Sequence, residues 1–157
     1  LVLTDFTISR EDGSFLERIR EYDKQACLEL YESLPDFLKE PLYKQERAGR
    51  EPSLDENELI LRVESSGGEF AGFLWAEVLT GKMNRKAARV LQLYVIQEYR
   101  GLGIGTALME RLFEDAADNG IEYIIADLPE DEESPSEMRF NFGWHGITKR
   151  SILSVRK

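Results

Sequence analysis

Three glycines at alternate positions, Gly101, Gly103 and Gly105, lie between a strand-like run ending at Ile96 and an apolar helical stripe that begins at Leu108. Alternate glycines admit backbone conformations that a Cβ forbids and let the main chain approach a ligand closely. The helix start beyond them presents unpaired N–H groups and a partial positive charge. The chemistry offered is an anion cradle, with the amides of Arg100-Gly101-Leu102-Gly103-Ile104-Gly105 as donors and the Arg100 guanidinium suited to phosphate oxygens. Such a turn also serves ordinary strand–helix packing, so its context decides. A dinucleotide fingerprint needs Gly-x-Gly-x-x-Gly and an acidic ribose ligand about 20 residues on, and a Walker loop needs Gly-Lys-Ser or Gly-Lys-Thr. Neither pattern occurs.

Other reactive side chains are sparse. The single cysteine, Cys27, falls in a helical pattern, where a buried small hydrophobe is the default reading, and its isolation suits a reducing, intracellular compartment. His145, the only histidine, follows Gly143-Trp144 in an expected turn and is given a surface or structural role. Asp131, Glu132 and Glu133 are consecutive on a loop, which defines no coordination geometry, so they read as solvated charge and no metal site is expected.

The elements that must position the glycine segment follow from periodicity. Thr4 to Ser9 alternates as a half-buried strand and Asp12-Gly13 breaks it. Phe15, Ile19, Tyr22, Ala26 and Leu30 recur at helical spacing behind a Ser14 cap with Glu17 three residues on, and Leu34-Pro35 closes that helix. A shorter helix is expected from about Asp36, although Pro41 interrupts it, and Arg47 to Glu56 is a polar loop. Glu58–Val63, Gly72–Leu79 and Ala88–Ile96 read as an antiparallel meander with turns at Ser66-Gly67-Gly68 and Gly81-Lys82-Met83-Asn84. Leu108, Leu112, Phe113 and Ala116 form one helical stripe that stops at Asn119-Gly120, and Glu122–Leu128 is the next strand. Strand, glycine turn, helix and strand make a βαβ unit, so its two strands should be parallel neighbours in a mixed sheet. An acidic loop over Pro129–Ser134, a short helix over Ser136–Phe142 and a strand over Ile147–Val155 complete one domain spanning 1–157.

From Leu91 to Leu112 the chain closely resembles the GNAT N-acetyltransferase superfamily. Its signature [RQ]-x-x-G-x-[GA] is met by Arg100 to Gly105, strengthened by Glu98-Tyr99 just before, and the element order matches over nearly the whole chain. The resemblance implies an α/β (α+β) fold, a mixed, mostly antiparallel central sheet with helices on both faces. It also implies direct acetyl transfer from acetyl-CoA to a primary amine on a small molecule, a peptide N-terminus or a lysine. By the same resemblance the backbone of Leu93, Tyr94 and Val95 pairs with the pantetheine arm like an added strand. Arg100, Gly101, Leu102, Gly103, Ile104 and Gly105 bind the pyrophosphate, Thr106 adds a hydroxyl, and the Val95 N–H polarises the thioester carbonyl.

An amine attacks only when unprotonated, so a proton acceptor is required. Phe73, Trp75 and Glu77 share one strand face, as do Gln92 and Tyr94, and the two sets can meet beside the acetyl group, which makes Glu77 the candidate base. A salt-bridge partner or solvent-exposed residue is the competing account of Glu77. The tyrosine that many members carry in Tyr-x-x-x-Gly-Phe is absent from Arg139-Phe140-Asn141-Phe142-Gly143-Trp144, and the usual upstream asparagine is not evident, so no general acid is assigned. An intact cradle without that tyrosine also suits a non-catalytic acetyl-CoA-binding or regulatory module. Tyr31, Phe37 and Tyr43 serve either as core packing or as acceptor-lining residues.

A chain of 157 residues with 42% hydrophobic residues can bury a full core without a staple, and none of its apolar runs is long enough for a bilayer. Its first residues lack the pattern of a signal peptide, which with the lone cysteine gives a cytoplasmic expectation. A net charge of −10 disfavours nucleic acid and anionic membrane as partners and favours a cationic acceptor, with solubility as the plainer explanation. A homodimer is compatible with this reading.

Overall fold

Phe70 to Ala76 is apolar at nearly every position, the pattern of a strand covered on both faces, and all of these residues are buried. In the computed structural model, which describes residues 1–32, 50–127 and 150–154, this segment is the third of six strands. The chain runs β1 (Phe6–Arg10), α1 (Leu16–Glu32), β2 (Glu58–Ser65), β3 (Phe70–Thr80), β4 (Lys86–Val95), α2 (Ile104–Asp118), β5 (Ile121–Asp127) and β6 (Arg150–Ser154). One sheet carries the strands in sequence order. Every neighbouring pair is antiparallel except β4 and β5, whose α2 crossover is the long connection that parallel neighbours require. The mixed, mostly antiparallel sheet and the parallel pair around α2 are those expected from the sequence.

Helices cover both faces. Leu108, Leu112 and Ala116 of α2 pack with Ile104 and Met109 against Leu59, Leu61, Val63, Leu74, Ala76, Ala88 and Ile124. On the opposite face Ile19 of α1 joins Ile60, Phe70, Phe73, Trp75 and Tyr94, with Phe15, Tyr22 and Ala26 packed against them. Tyr22 stacks on Phe70 and on Tyr94 with ring centroids 5.5 Å away in each case. The β3–β4 hairpin turns where the glycine and asparagine suggested, with Met83 and Asn84 left-handed at φ 62° and 59° and the Gly81 N–H donating to the Arg85 carbonyl at 2.8 Å.

The start of α1 differs from expectation. Ser14 does not act as the capping acceptor: its hydroxyl and its N–H both donate to Asp12. The exposed N–H groups at the helix start go instead to Glu11, whose Oε2 accepts from Gly13 at 3.1 Å and from Phe15 at 2.8 Å. Arg62 holds the other Glu11 oxygen at 2.9 Å, and the Glu11 side chain is wholly buried. Arg62 Nη1 also reaches Asp12 at 2.8 Å, and Arg62 Nε reaches Glu64 at 2.6 Å. Hydrogen bonds from Ser14, then from Arg62, hold the Asp12 carboxyl below the usual carboxylate range.

A carboxyl depressed on folding contributes stability that is present above its unfolded value, near 3.9, and lost as pH falls through the folded value. Asp12→Asn is therefore expected to lower stability at neutral pH and to flatten the acid limb below about pH 4. Urea midpoints measured across that range check it, and parallel acid limbs in the two proteins count against it.

The expected helix from Asp36, the loop over 129–134, the helix over 136–142, Arg139 to Trp144, His145, Phe37, Tyr43 and the Tyr31 side chain lie outside the described residues.

Candidate functional site

β4 is shared by two ladders of different length. It pairs with β3 from Lys86 to Val95, whereas its pairing with β5 runs only over Lys86–Arg89 against Ile121–Ile125. Past Arg89 the two parallel strands part, leaving one edge of β4 open among the described residues. Near the fork Trp75 pairs with Gln92 and Ala76 with Val90, so Leu91 is the extra residue of a bulge that re-aims the strand.

Backbone alternation decides which residues serve that open edge. The Ile96 N–H donates to the Ala71 carbonyl at 2.9 Å, so Ile96 faces β3 and Val95 faces away. Two residues further back, Leu93 also faces away, and Tyr94 faces β3. Consistently, a Cβ added at Gly72 would meet the Tyr94 carbonyl oxygen at 2.6 Å, a close approach that reserves Gly72 for glycine. Leu93 and Val95 thus offer main-chain groups to an added strand. Tyr94, expected to do the same, instead gives its polar backbone to β3 and its buried ring to the α1 face.

The glycine segment has the backbone its sequence implied. Gly101 and Gly103 are left-handed, at φ 82° and 90°, and Gly103 is the residue that caps α2. Between the glycines, partly buried Leu102 and buried Ile104 turn into the core beneath α2, which leaves the Cβ-free positions outward. The first backbone bond of the helix runs from the Ala107 N–H to the Gly103 carbonyl at 3.0 Å. The N–H groups of Ile104, Gly105 and Thr106 precede it and have no intrahelical acceptor. A Cβ on Gly105 would find only Leu93 Cδ2, at 3.9 Å, so the cradle adjoins the open edge. Arg100 joins them: its Nε donates to the Val95 carbonyl at 2.8 Å and its guanidinium lies 5.2 Å from the centre of the Tyr94 ring. Tyr99 anchors the approach, edge-on to Phe6 at 5.2 Å with its hydroxyl 3.1 Å from Glu69. A pyrophosphate fits the donor set: main-chain N–H groups at a helix start, a fixed guanidinium, and space that side chains would fill.

On the α1 face, Glu77 is nearly buried and both its oxygens are engaged, one by Arg50 at 2.6 Å and the other by Arg89 at 2.9 Å. Of the two accounts of this residue, the geometry supports the ion pair: each carboxylate oxygen faces a guanidinium, and little of the side chain is left exposed. Nearby, Ser53, Glu58 and Asp23 join this face without having been singled out in the sequence, whereas Trp75, Gln92 and Cys27 were. The Trp75 indole N–H donates to Glu58 at 2.7 Å, and Ser53 also bonds Glu58. Gln92 Nε2 donates to buried Asp23 at 3.3 Å and lies 3.9 Å from the Cys27 sulfur. Asp23 could have been found, since it interrupts the apolar stripe of α1 one turn after Ile19. Cys27 is half-buried, more accessible than the expected core position.

Among the described residues no group of three or more His, Cys, Asp or Glu side chains is placed to hold a metal. No described helix is long and apolar enough to cross a membrane.

Comparison with known proteins places this geometry in context. The model of the acetyltransferase (GNAT) family matches residues 16–137. The fold is similar to the ribosomal-protein-S18-alanine N-acetyltransferase from Escherichia coli, with a TM-score of 0.65 at 16% identity over 97% of this chain and 95% of that one. A GNAT family acetyltransferase from Brucella melitensis in complex with acetyl-CoA gives 0.65 at 18% identity, covering 97% of this chain and 89% of the other. Glucosamine-6-phosphate N-acetyltransferase from Arabidopsis thaliana gives 0.61 at 17% identity over 91% and 95%. At these identities the likeness concerns the fold. Comparison with curated protein sequences returns no match.

Proposed function

Because the chain belongs to the GNAT acetyltransferase family, we propose that it moves an acetyl group from acetyl-CoA directly to a primary amine. The observation that carries this reading is the continuity of the open β4 edge with the helix-start cradle, tied together by the Arg100–Val95 contact. The amides from Gly101 to Thr106 and the Arg100 guanidinium bind the pyrophosphate, and Leu93 and Val95 pair with the pantetheine arm. Acetyl-CoA supplies an activated thioester. Of the two open-edge N–H groups, that of Leu93 lies nearer the fork where the amine arrives, so it replaces that of Val95, which adjoins the pyrophosphate cradle, as the main-chain donor for the thioester carbonyl oxygen.

Transfer forms a C–N bond, breaks the C–S bond and releases a thiolate that takes a proton from solvent. The amine proton leaves through water, since Glu77 is committed to its two arginines. The acceptor is a small molecule, a peptide N-terminus or a lysine. A cytoplasmic setting suits the single cysteine.

The test follows CoA release across a panel of amines, peptides and proteins, beside calorimetry of acetyl-CoA alone. Binding without transfer to any acceptor would replace this reading by a non-catalytic acetyl-CoA-binding module. Glu77→Gln is expected to change the acceptor KM while leaving the pH profile of kcat in place, as befits a positioning residue. Loss of the acidic limb of that profile would instead make Glu77 the base.

A further inference from the structure

The Arg50–Glu77–Arg89 cluster joins two guanidiniums to one carboxylate, with Glu58 opposite Glu77 on the neighbouring strand, in a protein whose net charge is −10. Its position is specific. Arg89 stands opposite Glu77 in the β3–β4 register, so both side chains share the α1 face, and it is the last β4 residue paired with β5. The cluster therefore sits at the fork. Arg50 closes it from the other side, its guanidinium 5.8 Å from the centre of the Trp75 ring. The arginine side chains keep 42% and 34% of their surface exposed while Glu77 keeps 11%, so the cations are reachable and the anion between them is not.

One polar atom here is unsatisfied: Arg89 Nε is buried and has no hydrogen-bond partner. A buried donor without an acceptor is uncommon and costly, but its burial closes it to an incoming group, so a ligand meets the exposed part of the Arg89 guanidinium.

We propose that Arg50 and Arg89 form the specificity site for an anionic group, a carboxylate or a phosphate, on the amine acceptor. This inference rests on the transferase reading of the fork. Glu77 holds the two guanidiniums apart and oriented, and the acceptor's oxyanion binds their exposed nitrogens while its amine faces the open β4 edge. The overall negative charge draws the protonated amine toward the protein, and the arginine pair then distinguishes acceptors by their far end.

The test uses matched probes with the acetyl-CoA-saturated protein: aminocaproate against aminocaproamide for a carboxylate, and phosphoethanolamine against ethanolamine for a phosphate. Binding is read by calorimetry and transfer by CoA release. At least one anionic probe is expected to bind about tenfold more tightly than its uncharged-end partner, the scale of a charge-assisted hydrogen bond, and the pair that responds identifies the oxyanion. Arg89→Gln removes that preference without altering acetyl-CoA affinity. Arg50→Gln, at a more exposed side chain, repeats the loss should Arg89→Gln fail to fold. Equal binding within both pairs, or no binding by any probe, overturns the anion site. Anion-selective binding without CoA release would overturn the transferase reading and leave the site standing, whereas CoA release without anion preference would do the reverse.

Discussion

Gly105→Glu is expected to reduce acetyl-CoA affinity by at least about 100-fold while leaving thermal stability unchanged or slightly raised. Two opposite effects of one carboxylate produce this separation. Within the first turn of α2 a negative charge is favourable to the helix, by about 0.3–1 kcal/mol, and replacing a helical glycine adds a similar amount. The new Cβ is accommodated, since only Leu93 Cδ2 lies within reach at 3.9 Å. Toward a pyrophosphate the same charge is repulsive, by about 4 kcal/mol for unit charges about 4 Å apart at an effective dielectric of about 20. Calorimetry with acetyl-CoA beside a thermal melt reads both effects. Affinity within twofold of the parent would remove the pyrophosphate assignment, whatever the melt showed. Gly103 is the poorer choice for this test, because its φ of 90° adds about 1–2 kcal/mol of backbone strain to any substitution.

The second large effect concerns the fold. Arg62→Ala is expected to destabilise the protein by about 3 kcal/mol, because it leaves the buried Glu11 charge without its cation. Glu11 keeps the Gly13 and Phe15 N–H groups as donors, which places the loss at the lower end for a broken buried pair. The guanidinium also lies 5.3 Å from the centre of the Phe15 ring, so the start of α1 loses a contact on both sides. Adding Glu11→Gln to Arg62→Ala removes the stranded charge and is expected to recover part of the stability. Urea unfolding of the two single variants and the double variant measures the coupling, and additive losses would show that the pair does not act as a unit.

Local features were legible in the sequence where the physics is local. The α2 stripe repeats every turn, the Asn119-Gly120 stop is real, and the left-handed Gly101 and Gly103 are where the cradle needed them. What escaped depends on register. Whether Tyr94 or its neighbours face the open edge is a question of parity, fixed by how β4 pairs with β3 and by the extra residue at Leu91. Glu77 meets Arg89 only because the hairpin at Lys82–Asn84 sets that register, and Arg50 arrives from a loop with no periodicity to read. The Ser14 cap failed for a related reason: a carboxylate just before the turn, steadied by an arginine 51 residues away, supplied the acceptor first.

The single bond from Arg100 Nε to the Val95 carbonyl also makes this segment a ruler. In the proposed binding mode one end of the ligand is gripped at the helix start and its middle lies along Leu93 and Val95, and the bond ties the two grips together. A thioester attached to a shorter or longer arm can satisfy either grip alone, but it presents its carbonyl at the wrong station along β4. Arm length is therefore judged where the strands part, several residues away from the charges that hold the ligand.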